Sequence, residues 1–171
     1  MEGLIDGRTP GDIPGLDIAE QKSWQNFLDC GLRLYAVLNR CLTDQHHLSL
    51  LDVRVLDMLD NAEEGSARMG DLAEALPSLP SRLTRQIGRL ESQGLVRRRS
   101  SQDDRRGVVA SITEDGRTVA RQAMVTYAQG VRSYYLGQLS RAQMAAMGEN
   151  CRRIGTALKR SDRSAKLGRL L

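Results

Sequence analysis

Aromatic residues are scarce in this 171-residue chain, which has one Trp, one Phe and four Tyr. Trp24, Phe27 and Tyr35 lie early, Tyr127, Tyr134 and Tyr135 lie late, and the long stretch between Tyr35 and Tyr127 holds none. Readers of single strands and of RNA stack bases on aromatic side chains, so the central stretch is not built for that task. Three cysteines, an odd number, cannot all pair within one chain. That predicts reduced thiols and a cytoplasmic location. No apolar run approaches the length that crosses a bilayer, so no membrane partner is expected. The first residues, MEGLIDGRTPGDIPG, lack the basic start and apolar core of a signal peptide. A Gly-rich phosphate loop, a nucleophile paired with a base and a spaced carboxylate pair are all missing. No catalytic residue, no cofactor and no enzyme is therefore expected. Histidine is confined to His46 and His47. With Cys41 and Asp44 they gather metal-type donors in one short segment, but adjacent histidines rarely hold one ion. A polar turn is expected there, and no metal.

Lysine is absent between Arg68 and Arg106, whereas arginine is abundant, at 68, 82, 85, 89, 97, 98, 99, 105 and 106. Asp71, Glu74, Glu91, Asp103 and Asp104 oppose them. The net charge of the chain is only +4, so this is a concentration of arginine in one lobe. Such a concentration suits a nucleic-acid surface.

Within that lobe the spacing predicts helix, turn, helix, strand, charged loop, strand. Met69 to Leu76 forms the first helix, packing Leu72 and Leu76. The second runs from Pro80 to about Gln93. Its Leu83, Ile87 and Leu90 recur at i, i+4 and i+7 and must pack on a core. Ser81, Arg85, Gly88 and Ser92 point the other way, with Arg82 and Arg89 on the flank. Arginine on such a face can bond a guanine edge or a phosphate with two parallel hydrogen bonds. Gly94 is a natural residue just past the helix end. Leu95-Val96 and Val108, Val109 and Ile112 read as two short strands. The run RRRSSQDDRRG between them is either a solvated hairpin loop or a wing whose Arg105 and Arg106 enter a minor groove, where the potential is most negative. Asp104, of the wrong charge for DNA, serves to hold neighbouring arginines in place.

Ser81, Thr84-Arg85, Leu90-Glu91, Gly94-Leu95-Val96, Asp104-Arg105-Arg106-Gly107 and Thr113-Glu114-Asp115-Gly116 together resemble the signature of the MarR family of bacterial transcriptional regulators. The resemblance extends over about Trp24 to Lys159, in pattern only for the flanking helices. It implies a mainly helical fold with a small β-hairpin wing: a winged helix-turn-helix plus a helical dimerisation region. It also implies a repressor released by a small molecule. One position departs from the family: Leu79 stands where a capping Ser is common, leaving Ser78 as the cap with Pro80 in the first turn.

Around the lobe, residues 1–16 are an expected disordered tail and 17–159 a single domain. In it, 17–47 and 114–159 are dimerisation helices and 48–113 the winged helix-turn-helix; 160–171 is a basic tail. Ser49 and Asp52 start a helix as a capping box, with Leu48 stapled to Val53. Val53, Leu56 and Leu59 supply its core stripe. After the wing, Thr113 opens a long helix that carries Val119, Ala123, Tyr127, Val131 and Tyr134 on one face and ends near Gly137. Ser140 and Gln143 form a second capping box. Met144, Met147, Cys151, Ile154 and Leu158 then alternate steps of three and four, a heptad-like seam, which reads as a dimer interface.

These features predict a homodimer that binds double-stranded DNA at an inverted repeat. Ser81, Arg82, Thr84, Arg85, Arg89, Arg105 and Arg106 are the contact residues and Asp104 structures the wing. Trp24, Phe27, Gly31 and Tyr35 on the first helix, with Tyr127 from the later one, are either core or the lining of a pocket for a small aromatic or apolar effector. Two alternatives stay open: a redox- or metal-responsive regulator on the same fold, with Cys30 or Cys41 as the reactive thiol, and a winged-helix protein-interaction module.

Overall fold

The computed structural model describes residues 13–76, 80–100 and 107–167. They form six α-helices and one small sheet: α1 (Ile18–His46), α2 (Leu50–Asp60), β1 (Ser66–Arg68), α3 (Met69–Ala75), α4 (Pro80–Ser92), β2 (Val96–Ser100), β3 (Val108–Ile112), α5 (Glu114–Tyr134) and α6 (Arg141–Leu167). The chain divides into two compact units, one ending at Tyr127 and one beginning at Ala128.

In the first unit, the starts of α1 and α2 are fixed by side chains that satisfy otherwise unpaired amide groups. Asp17 caps α1: its Oδ1 accepts from Glu20 N–H at 2.9 Å, and Glu20 Oε2 accepts from Asp17 N–H at 2.9 Å. The helix ends at His47, whose left-handed backbone (φ 55°) lets its N–H reach the Thr43 carbonyl. Ser49 and Asp52 make the expected box at α2, and Asn39 Oδ1 accepts from Leu50 N–H at 2.9 Å, tying α1 to α2. The core below is aliphatic: Leu42, Leu48, Val53, Val55, Leu56, Leu59, Leu72, Leu76, Leu83, Ile87, Leu90, Leu95 and Val96 are buried in one cluster with Ala110, Ala120 and Ala123. The stripes read from periodicity on α2, α3 and α4 meet here. Each fully buried Leu or Ile contributes about 1.5–3 kcal/mol.

The sheet has three strands, in the order β1-β3-β2, all antiparallel. Only β2 and β3 were expected. β1 is three residues long, too short to carry a period-two pattern of its own. It is held by its neighbour: Ala67 pairs with Ala110, and the Ser66 and Ser111 hydroxyls lie 2.8 Å apart. Beside it, Arg117 of α5 forms an ion pair with Asp60 at the end of α2.

In the second unit, α5 stops at Tyr134, three residues before Gly137, and a short 3-10 turn (Leu136–Gln138) follows. The box before α6 forms: Ser140 N–H donates to Gln143 Oε1 at 2.8 Å, and Gln143 N–H to Ser140 Oγ at 3.3 Å. The helix then runs on to Leu167, so the first residues of the expected basic tail are helical. Among the described residues no helix is long and apolar enough to cross a membrane.

Candidate nucleic-acid interface

α3 and α4 make the helix-turn-helix pair, and the 13-residue α4 is its second member. Leu83, Ile87 and Leu90 are fully buried, which turns their face of the helix onto the core. Ser81, Arg82, Thr84 and Arg85 are consequently exposed. Residues 77–79, with Ser78 and Leu79, lie outside the described residues.

The exit from α4 is built from the motif residues. Gly94 has φ +75°, a left-handed conformation that L side chains rarely adopt. It turns the chain so that Leu95 N–H reaches the Leu90 carbonyl at 2.9 Å. Thr113 locks the far end of the hairpin onto this turn: its hydroxyl donates to the Gly94 carbonyl at 2.8 Å and accepts from Gly116 N–H at 3.0 Å. A Cβ on Gly116 would collide with the Leu95 carbonyl oxygen. The spacing of Gly94-Leu95-Val96 and Thr113-x-x-Gly116 is thus the geometry that seats the wing on the second helix.

The wing stem is registered by Val96 against Ile112, Arg98 against Ala110 and Ser100 against Val108. Glu91 of α4 fastens it. Its Oε1 accepts from Arg98 N–H at 3.0 Å and its Oε2 from Arg98 Nε at 2.8 Å. These bonds hold the Glu91 carboxyl below its ordinary value, the side-chain bond contributing most. Arg98 is therefore engaged within the fold, while Arg97 and Arg99 are exposed beside it. A cleft of about 400 Å³ runs between α3, α4 and the stem, lined by Arg68, Asp71, Thr84, Arg98 and Val108. Asp104, Arg105 and Arg106 of the expected wing tip lie outside the described residues.

One arginine is placed in a way the sequence did not indicate. Arg89 forms an ion pair with Asp52, a fully buried carboxylate on α2. Gln86, also buried, donates from Nε2 to Asp52 Oδ1 at 3.1 Å. Periodicity finds the apolar stripe but not a partner that arrives from another helix.

The remaining expected residues fall elsewhere. Trp24 and Phe27 pack with ring centroids 6.1 Å apart. With Tyr35 they are about half exposed on α1, and Gly31 is exposed too. Tyr127 instead packs on the core and lines a cavity of about 180 Å³ with Leu50, Val53, Met58 and Met124. Met147, Cys151, Ile154 and Leu158 are exposed along α6, and Met144 is half-buried. Cys30 is exposed and Cys41 half-buried, both as free thiols. His46 Nε2 lies 2.8 Å from the Thr126 hydroxyl, which donates to Gln45 Oε1 at 3.0 Å.

The chain is similar to known proteins in sequence and in fold. The model of the MarR family matches residues 48–108. The uncharacterized HTH-type transcriptional regulator YfiV of Bacillus subtilis (strain 168) is 35% identical over 74 residues, 43% of this chain and 45% of the relative, so the match spans less than half of that protein. Among solved structures, AbsC, a MarR family transcriptional regulator from Streptomyces coelicolor, aligns with a TM-score of 0.80 at 29% identity, over 86% of this chain and 99% of its own. Sco3205, a MarR family transcriptional regulator from the same organism solved in complex with DNA, aligns with a TM-score of 0.81 at 28% identity, over 84% of this chain and 93% of its own.

Proposed function

We propose that this chain, whose residues 48–108 match the model of the MarR family, is a sequence-specific, double-stranded DNA-binding transcriptional regulator that acts as a homodimer. The observation that carries this reading is the exposed face of α4, where Ser81, Arg82, Thr84 and Arg85 stand together beside the β2–β3 wing stem of a three-stranded sheet. A helix of this kind fits the major groove and reads base edges from its N-terminal half, while the wing reaches the flanking backbone and minor groove. The likeness to Sco3205, a structure containing DNA, supports the same placement. Two-fold symmetry of the dimer calls for an inverted repeat with half-sites about one helical turn apart. The test is selection of duplexes from a randomised pool. Recovery of one inverted repeat supports the reading; recovery of no preferred sequence would contradict it.

The regulator is a repressor released by a small aromatic or apolar molecule. The exposed Trp24, Phe27 and Tyr35 on α1 supply apolar surface for such a ligand, and Tyr127 lines a separate small cavity. A ligand releases DNA only by binding the two states of the protein unequally. Trp24 is the one tryptophan, so its emission reports on α1 directly. An inducer that frees the duplex yet leaves Trp24 emission unchanged would place the site away from α1.

A further inference from the structure

Asp52 sits in the first turn of α2, where its sequence position calls for a cap, and its carboxylate is fully buried. It caps α2 and holds α4 at once. Its Oδ2 accepts from Ser49 N–H at 2.7 Å and from the Ser49 hydroxyl at 2.6 Å. Its Oδ1 accepts from Gln86 Nε2 at 3.1 Å, and the Arg89 guanidinium closes on Oδ2. Gln86 and Arg89 are three residues apart, so they lie one above the other on one flank of α4. Attachment at two points along a helix fixes its rotation as well as its distance. Gln86 Oε1 is buried with no donor among the described residues, so the Gln86 amide is oriented by Asp52 alone.

Charge decides what Arg89 can do. A buried carboxylate that loses its cationic partner is left uncompensated in a poorly solvated site, which is costly. The Asp52–Arg89 pair is also neutral as a unit, so it has no net charge with which to displace counterions from DNA. We infer that Arg89 is a positioning residue: through Asp52, and together with Gln86, it sets the rotation of α4 that presents Ser81, Arg82, Thr84 and Arg85, and it does not neutralise a phosphate. This rests on the reading of α4 as the DNA-contacting helix. It moves Arg89 out of the contact set and brings Asp52 and Gln86 into the specificity machinery without either touching a base.

The test uses the full chain, a duplex selected by the wild-type protein from a randomised pool, and poly(dI-dC) as the non-specific competitor. The variant is Asp52→Asn/Arg89→Gln, which removes both charges and leaves net charge unchanged. Binding is measured from low to moderate salt, and thermal melting reports folding. Affinity for the selected duplex should fall about tenfold, on the scale of one lost base contact. Affinity for poly(dI-dC) should stay within about twofold, and the dependence of log K on log salt should match wild type. Loss of about 0.9 from that slope for each protomer, about 1.8 for the dimer on its duplex, would mean that Arg89 neutralises a phosphate, and the inference would fall. It would fall equally if specific and non-specific binding dropped together, or if neither changed. The single variant Asp52→Asn, in which the amide oxygen can still cap α2, should lose specific affinity in the same direction. If the wild-type chain selects no duplex at all, the DNA-binding reading itself fails, and that result is separate from any change of slope.

Discussion

Arg85 points away from Leu83, Ile87 and Leu90, the side chains that anchor its helix. No ion pair is seen for it among the described residues, unlike Arg89 and Arg98. A free guanidinium in that position reads guanine or clamps a phosphate. Arg85→Ala should therefore weaken binding to the selected duplex by about 1–3 kcal/mol and relax its base preference; titration on selected and scrambled duplexes checks this. Gly116 matters for a different reason. Its neighbour is a backbone oxygen of Leu95, which cannot move aside as a side-chain tip can. Gly116→Ala should cost about 1–3 kcal/mol of stability, read as a lower melting temperature. The need for glycine was legible as part of a motif, but its cause, the close pass of the Leu95 carbonyl, was not. The same limit applies to Asp52: its cap to Ser49 spans three positions, while its bond to Arg89 spans 37. Local chemistry is written in adjacent letters, and a long-range partner is not.

At the scale of elements, a carboxylate on α4, Glu91, ties that helix to an arginine on β2, Arg98. The Glu91 pKa is lowered in the fold by its bonds to Arg98, the side-chain bond first. A carboxylate with a lowered folded pKa stabilises fully above its unfolded value, and that stabilisation is lost as pH falls through the folded value. The window therefore opens at the ordinary glutamate value and extends downward. Glu91→Gln should melt below wild type at neutral pH, and the two should converge in acid. Both groups are partly open to solvent, so the difference should also shrink in high salt. A gap that persists unchanged at low pH would mean that Glu91 acts through packing alone. The helices were legible because their apolar stripes repeat over several turns and their starts carry Ser49-x-x-Asp52 or Ser140-x-x-Gln143 boxes. β1 was not, because a three-residue strand is held by β3, not by any pattern of its own.

On the scale of the whole molecule, α6 leaves an apolar seam uncovered. Ile154 is 50% and Leu158 62% exposed, and Met147 lies beside them in the same heptad-like register. Contiguous exposed apolar surface marks an association site. The period in the sequence made the apolar stripe itself legible, and it names no surface that would cover it. A buried charge without a partner is costly, so Met147→Glu should shift the protein toward monomer in sedimentation and lower its affinity for the selected duplex. A Met147→Glu protein that stays dimeric would remove α6 from the interface. The central claim, that two copies of α4 read two major grooves through a symmetric dimer, is tested most directly by hydroxyl-radical footprinting of the selected duplex with stoichiometric titration. The prediction is one dimer per duplex, protecting two symmetric half-sites about one helical turn apart, with the symmetry lost when one half-site is scrambled. A single asymmetric footprint occupied by one chain would contradict it.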